Sequence, residues 1–215
     1  MRHLSLPRGE LKLVCLAAHP DDIEIAAGAT LLAFAERGCV EGHWLTLTGS
    51  PERRAEAEAA AQAFLPDSYT TFHGFPDGRL PAYWNEIKDI LHRFAADLPE
   101  ADVVLAPRID DAHQDHRLVG TMAPTVWRDA LVLHYEVPKW DGDLGRSNCY
   151  VPISAELGRR KVSLLNEHYQ SQLDRDWWDD ETFLGLMRIR GMECRSRYAE
   201  AFQASKAVLS LGVHE

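Results

Sequence analysis

The strongest constraint on the fold is the regular alternation of two hydrophobic patterns along the chain. Residues 11–18 form a short apolar run that ends in a turn signal, and residues 23–38 then show helical spacing that ends at a glycine. Strand-like runs recur at 40–48, 69–72, 101–106 and 130–137, with helix-like runs at 51–64, 83–96 and 117–128. Because strands that alternate with helices form parallel sheets, we predict an α/β, Rossmann-like three-layer fold with a mostly parallel central sheet.

The last third of the chain is predicted to be a loop followed by helices. Residues 140–148 are rich in glycine and aspartate, and helical patterns follow near 155–169, 181–191 and 195–204. With 215 residues, the chain is long enough for one domain with a substantial core. The sequence shows neither an internal repeat nor an interdomain linker, so we predict a single domain over residues 1–215.

Composition excludes several classes of partner. The formal net charge is −10, and no Lys/Arg cluster follows the pattern of a phosphate backbone, which argues against nucleic acid. The sequence has neither a membrane-length apolar stretch nor the apolar core of a secretory signal, so we expect a cytoplasmic protein without a membrane span. The four cysteines are too far apart for a CxxC motif, and we expect them to be reduced. A homo-oligomer is compatible with the sequence.

Two predicted loops are dense in residues that bind metals. His19, Asp21 and Asp22 follow the first strand, and the segment His113-Gln114-Asp115-His116 follows the strand at 101–106. The carboxyl ends of parallel strands meet at one edge of a sheet, so the two loops are expected to lie together. Taken alone, Pro-Asp-Asp before a helix is typical of N-capping, and a single histidine is typical of a surface. Two histidines and a carboxylate together favour a divalent metal site that leaves a position open for water.

The same two loops carry a family resemblance. The segment AHPDDIEIAAGATL, followed by DAHQDH, resembles the two signature motifs of the PIG-L/LmbE-like deacetylases. Weaker similarity extends through FPDGRL, YEVP, KVSLLNEHYQSQ and RGMECRSRYAEAF. One departure is Ala26-Ala27-Gly28-Ala29, where many relatives have a GxGG-like stretch, although small residues preserve close helix packing. The resemblance implies an amide hydrolase that removes acetyl groups from N-acetylglucosamine-type substrates.

The resemblance also implies a role for each residue of the two loops. The implied zinc ligands are His19, Asp22 and His116, the implied general base is Asp21, and His113 with Asp115 assists the tetrahedral intermediate. Such roles are chemically reasonable, because zinc acidifies water and a carboxylate outside the ligand set can accept a proton. Ligand sets of nitrogen and oxygen also accept Fe²⁺, cobalt or nickel, and zinc is the default expectation.

Substrate-facing candidates are fewer. Arg53 and Asp77 match positions that lie near the sugar in the family, and His168 lies within the KVSLLNEHYQSQ run. Each also has a structural explanation: a helix start, an Asp-Gly turn and an amphipathic helix. Trp177 and Trp178 fit either an aromatic platform for a sugar or burial against the sheet or a subunit contact.

Two other functions remain open at this point. Two histidines and one carboxylate also hold non-haem Fe(II) in oxygenases, although the alternating pattern is unlike the β-rich scaffolds common among them. The acidic loops also fit a non-catalytic metal-binding module. Within the hydrolases, the sequence does not choose the acyl group or the carrier of the amine. The carrier candidates are a free sugar, a sugar nucleotide, a lipid-linked sugar, a thiol-cofactor precursor, a polysaccharide intermediate and a glycopeptide-type natural product.

Overall fold

The protein is built on one seven-stranded sheet. The computed structural model describes residues 2–209. Its strands are β1 (Leu11–Ala17), β2 (Val40–Thr46), β3 (Tyr69–Phe72), β4 (Val103–Pro107), β5 (Leu131–Tyr135), β6 (Cys149–Ile153) and β7 (Tyr198–Ala204). In the order β3-β2-β1-β4-β5-β7-β6, the first five strands are parallel, whereas β7 is antiparallel to both of its neighbours. The predicted α/β fold with a mostly parallel sheet is thus confirmed.

Helices cover both faces of the sheet. They are α1 (Asp22–Arg37), α2 (Pro51–Phe64), α3 (Trp84–Ala96), α4 (Gln114–Val126), α5 (Ala155–His168) and α6 (Asp180–Cys194). The helices α1, α2, α5 and α6 pack with one another on one face, and α3 packs with α4 on the other. None of the helices described is long and apolar enough to cross a lipid bilayer.

Alternate side chains of the central strands enter two separate cores. On β1, Leu13 and Cys15 pack beneath the four-helix face, whereas Val14 and Leu16 pack beneath α3 and α4. Successive side chains of a strand point to opposite faces, so a strand that is buried on both sides is apolar throughout. This explains why the strand-like runs of the sequence are continuous rather than alternating.

The strand order places a crevice between β1 and β4. The chain moves from β1 to β2 on one side, and then returns to lay β4 against the other side of β1. In an open α/β sheet, the loops that leave the carboxyl ends of two such strands diverge and form a binding crevice. The loops after β1 and β4 are the two that the sequence marks as rich in metal-binding residues.

The C-terminal part of the chain differs from the prediction. The helix expected at 195–204 is instead strand β7, and strand β6 follows the predicted loop without having been expected. Alanine, glutamate and glutamine favour a helix in YAEAFQA, but pairing with β5 and β6 determines the conformation. The segment is also buried between its two partners, Phe202 included.

Candidate metal and catalytic site

The two loops converge at the crevice between β1 and β4. His19 leaves the end of β1, and Asp22 is the first residue of α1. His116 lies in the first turn of α4, which begins at Gln114, three residues before the expected start. All three side chains are buried, and Asp22 is fully so. The tertiary structure therefore brings together residues that are almost a hundred positions apart.

His19, Asp22 and His116 face one another. The Nδ1 atom of His19 lies 3.2 Å from Nε2 of His116 and 3.4 Å from Oδ2 of Asp22. The Nε2 atom of His116 lies 3.2 Å from Oδ1 of Asp22. Two ring nitrogens and a carboxylate at these distances need a shared proton or a cation between them. This donor set suits a divalent metal ion.

A carboxylate holds the outer nitrogen of each of these histidines. Asp111 Oδ2 lies 3.0 Å from His116 Nδ1. Asp115 Oδ2 and Asp77 Oδ1 lie 3.3 and 3.0 Å from His19 Nε2. Histidines that bind metals usually donate their second ring N–H to such a partner, which fixes the ring and its tautomer. Both rings therefore direct their remaining nitrogen at the shared centre.

The electrostatics of the site also favour a cation. Burial would lower the pKa of His116, but the charge of Asp22 and the bond to Asp111 raise it to about 9. The pKa of His19 is likewise raised well above its usual value, because Asp22, Asp115 and Asp77 outweigh burial. Burial would raise the pKa of Asp22, but His116, Lys139 and His19 hold it well below the usual value. A metal ion would replace the protons that this field attracts.

His113 is a further metal-binding candidate. Its ring lies 4.8 Å from the ring of His19 and 4.8 Å from that of His116, measured between centroids. One potential ligand atom from each of the three histidines falls within a single 4.8 Å cluster. This geometry makes His113 an alternative to Asp22, the residue that the sequence predicts as a ligand beside His19 and His116.

The backbone and carboxylate of Asp21 adopt an unusual arrangement. Its φ of 104° lies in the left-handed region, where a non-glycine residue is strained. The side chain makes no capping bond to α1, which removes the N-cap explanation of this residue. Oδ2 accepts a hydrogen bond of 2.7 Å from Arg53 Nη2, whereas Oδ1 is buried and has no hydrogen-bond partner among residues 2–209. Asp21 thus has one anchored oxygen and one unpaired oxygen.

His113 and Asp115 are joined through the backbone of Asp115 rather than through both side chains. The Asp115 carboxylate accepts hydrogen bonds from the backbone N–H groups of Gly78 (2.8 Å) and Leu80 (3.0 Å) and approaches His19. The backbone N–H of Asp115 donates to His113 Nδ1 at 3.3 Å. A neutral His113 therefore carries its proton on Nε2. Burial and the neighbouring His116 and His19 lower the pKa of His113, so the neutral ring is favoured.

The substrate candidates occupy different places. Arg53, in the first turn of α2, binds Asp21 and the carbonyl of Pro20. Asp77 is 68% exposed and lies against His19. His168 is the last residue of α5, and its Nε2 atom is buried without a hydrogen-bond partner in the described part of the chain. The structure brings Arg53 and Asp77 to the site, whereas none of the contacts described links His168 to it.

Sequence reasoning missed two residues of the site. Lys139 Nζ lies 3.1 Å from Asp22 Oδ1 and 3.8 Å from Asp21 Oδ1, and Asp111 orients His116. Lys139 follows the carboxyl end of β5, and this end lies at the same sheet edge as the two loops. Its position in the sequence could therefore have identified it as a site residue. Asp111 lies five residues before His116 in an aspartate-rich loop, where nothing in the sequence separates it from Asp110.

Comparison with known sequences identifies one family. Residues 14–127 match the model of the PIG-L family, which is described as GlcNAc-PI de-N-acetylase. The matched segment is more than half of the chain and runs from β1 to the end of α4, so both loops of the site lie within it. A search of curated proteins finds no sequence that matches the chain.

Several solved structures share the fold. The conserved protein TT1542 from Thermus thermophilus is 26% identical, with a TM-score of 0.71 over 95% of this chain and 99% of that one. An N,N'-diacetylchitobiose deacetylase from Pyrococcus horikoshii, complexed with the inhibitor MPG, is 21% identical, with a TM-score of 0.68 over 90% and 83%. The zinc-inhibited form of teicoplanin deacetylase Orf2 is 15% identical, with a TM-score of 0.69 over 92% and 100%. At the latter two identities the likeness concerns the fold alone.

Proposed function

This chain belongs to the PIG-L family, and from that premise we propose that it is a metal-dependent N-deacetylase acting on an N-acetylglucosamine-type substrate. The reaction consumes one water molecule and yields acetate and the free amine. One observation carries the proposal: the unpaired oxygen of Asp21 lies beside a cluster of two histidines and an aspartate. The names of two structural relatives, a diacetylchitobiose deacetylase and a teicoplanin deacetylase, support the same chemistry.

We assign the metal to His19, Asp22 and His116, with zinc as the expected ion. When bound there, the ion supplies Lewis acidity next to the amide carbonyl. The residues themselves supply the geometry, because Asp111 and Asp115 fix the two imidazole rings. Asp22 also accepts a hydrogen bond of 2.8 Å from the backbone N–H of His19, which holds its carboxylate in place.

We assign proton transfer to Asp21. Its Oδ1 atom is free to accept a proton from the attacking water while Arg53 holds Oδ2. Burial raises the pKa of Asp21 despite the opposing charges of Lys139 and Arg53, which makes its carboxylate a stronger base. The proton taken up from water can then pass to the departing nitrogen, so that the amine leaves in neutral form and Asp21 is restored.

We assign stabilisation of the developing oxyanion to His113. In the neutral ring the proton lies on Nε2, because Nδ1 accepts from the backbone of Asp115. That N–H can donate to an oxygen that gains negative charge, and donors of this kind contribute strongly to acyl transfer. Protonation of the amine by His113 would need the imidazolium form, which its lowered pKa disfavours, and for this reason we give that step to Asp21.

The two rival functions explain less of the site. A non-catalytic binding module has no need for a buried carboxylate oxygen without a hydrogen bond on a strained backbone, since such strain is typical of functional positions. An Fe(II) oxygenase would use the same ligands but gives no role to Asp21. Dependence on oxygen and a 2-oxo acid would identify that enzyme.

The decisive experiment measures metal content and acetate release on one preparation. Purified protein is incubated with a panel of N-acetylglucosamine derivatives, with and without a chelator and with zinc added back. We expect acetate release that stops with the chelator and returns with zinc. Bound metal with no acetate from any acetamido sugar would overturn the proposed reaction, and failure to bind any metal would overturn the site.

A further inference from the structure

Two tryptophans adjoin the candidate site. Trp140 lies in the loop after β5, and Trp177 lies between α5 and α6. The Nζ atom of Lys139 lies 5.6 Å above the ring of Trp177, and the same atom is 3.1 Å from Asp22 Oδ1. A single lysine side chain therefore separates the metal ligand Asp22 from Trp177. We call Trp140 and Trp177 the tryptophan pair.

Both tryptophans are held in position, Trp140 at an exposed site and Trp177 half-buried against the core. The two ring centroids are 6.1 Å apart, with an angle of 80° between the planes. The Trp140 ring N–H donates a 2.9 Å hydrogen bond to Asp176 Oδ1, although this residue is 66% exposed. The Trp177 ring is tilted by 59° against that of Trp178, which is buried and donates a hydrogen bond to Asn166. An indole that is fixed and yet open to water presents a ready apolar face to a ligand.

The surroundings of the pair are polar and acidic. The segments at 139–143 and 174–181 contain seven carboxylates and only two basic side chains. Asp176 is exposed and in contact with Trp140. An aromatic face next to carboxylates suits a sugar, because one side of a pyranose ring presents C–H groups while its hydroxyls donate hydrogen bonds. The negative charge of these two segments also repels a phosphate or another anion.

We propose that the tryptophan pair binds a second, uncharged sugar residue that is linked to the acetamido sugar in the site. The inference rests on the proposed deacetylase function and narrows its substrate class. It makes the substrate a neutral oligosaccharide or glycoside, rather than a free monosaccharide or a sugar attached to a phosphate. Trp177 flanks the site itself, and Trp140 extends the aromatic surface outward.

The test compares three substrates: N-acetylglucosamine, N,N'-diacetylchitobiose and N-acetylglucosamine 1-phosphate. In the disaccharide, one sugar carries its neighbour at O1 and the other at O4, so both orientations are sampled. We expect kcat/KM to be about 10-fold higher for the disaccharide than for the monosaccharide, and lowest for the phosphate. Trp140→Ala should reduce the preference for the disaccharide to about 1, and Trp140→Phe should restore much of it.

Two controls test whether the effect is specific to the tryptophan pair and independent of turnover. Trp84 is also an exposed tryptophan, at 50%, and it begins α3, so Trp84→Ala should keep the wild-type preference. Binding of the disaccharide to Asp21→Asn protein, measured by calorimetry, should weaken about 10-fold when Trp140→Ala is added. Because this measurement needs no turnover, it reports on the tryptophan pair even if none of the sugars is deacetylated.

The outcomes separate the two proposals. Equal turnover of monosaccharide and disaccharide, or a preference that survives Trp140→Ala, would overturn the role of the pair and leave the deacetylase intact. A higher rate with the phosphate would overturn the exclusion of anions. An absence of deacetylation together with Trp140-dependent binding of the disaccharide would overturn the proposed reaction and retain the sugar-binding surface.

Discussion

Arg53 Nη2 lies 2.7 Å from Asp21 Oδ2, and this contact ties the start of α2 to the residue before α1. Ser50 caps α2 by accepting from the backbone N–H of Arg53, and Pro51 begins the helix, so the arginine projects from a well-defined helix start. The bond occupies one oxygen of the carboxylate. The other oxygen, Oδ1, makes no hydrogen bond and can accept a proton.

Arg53 is therefore expected to position the general base. Arg53→Met should lower kcat by about 10- to 100-fold, because a misplaced base loses its alignment with the attacking water. Metal content should stay at the wild-type level, since Arg53 contacts neither histidine of the cluster. The matched control is Arg159→Met, at an exposed position of α5. Full activity of the Arg53 variant would show that Asp21 does not need this anchor.

Asp21 itself is expected to be essential for turnover but not for metal binding. Asp21→Asn should retain the metal and lose about 100- to 10,000-fold in kcat, which is the usual cost of removing a general base. Metal analysis and acetate release on the same sample check both statements. Asp89→Asn, at an exposed position of α3, is the matched control. A fully active Asp21→Asn protein would exclude Asp21 from the mechanism.

Asp22 and His113 are expected to differ in their effect on metal binding. We expect His19→Ala, Asp22→Ala and His116→Ala each to lower the bound metal strongly, because a three-ligand site has no spare donor. His113→Ala should keep the metal and lose activity. Elemental analysis after dialysis gives the answer. If His113→Ala loses the metal while Asp22→Ala keeps it, the three histidines are the ligands instead.

Asp111 is expected to tune the metal site without touching the ion. Asp111→Asn removes the charge that orients His116, and we expect metal affinity to fall by about 10- to 100-fold. Competition with a chromogenic chelator measures the change. Asp129→Asn, at an exposed position after α4, should leave affinity unaltered. An unchanged affinity in Asp111→Asn would mean that His116 is held by other contacts.

A buried ion pair outside the site is expected to govern stability. Lys161 Nζ donates to Glu200 Oε1 and to the carbonyl of Ile25, each at 2.6 Å, and Glu200 accepts from backbone N–H groups of α1. Glu200→Gln should lower the free energy of unfolding by about 3–5 kcal/mol, because it leaves a buried ammonium unpaired. Urea unfolding of this variant and of Lys161→Met/Glu200→Gln measures the difference. A single variant as stable as the wild type would contradict this role.

The local chemistry of the site was readable from the sequence. The segments AHPDD and HQDH place ligand-type side chains just after strand-like runs, and parallel strands bring their carboxyl ends to one edge. The sequence also showed that Asp21 precedes a helix, but it did not decide between a helix cap and a catalytic carboxylate. Its positive φ and unpaired oxygen depend on how α1 and α2 pack around it, and no local pattern encodes that packing.

The sequence alone determined the order of strands and helices up to β5, because each has a strong local period and a clear end signal. Only the tertiary structure decided the conformation of YAEAFQA, since two partner strands outweigh a helical propensity of a few tenths of a kcal/mol per residue. The same holds for the contacts of Lys139, Asp111 and Asp115. Lys139 and Asp115 contact residues distant in the chain, and only the folded loop shows that Asp111 rather than Asp110 faces His116.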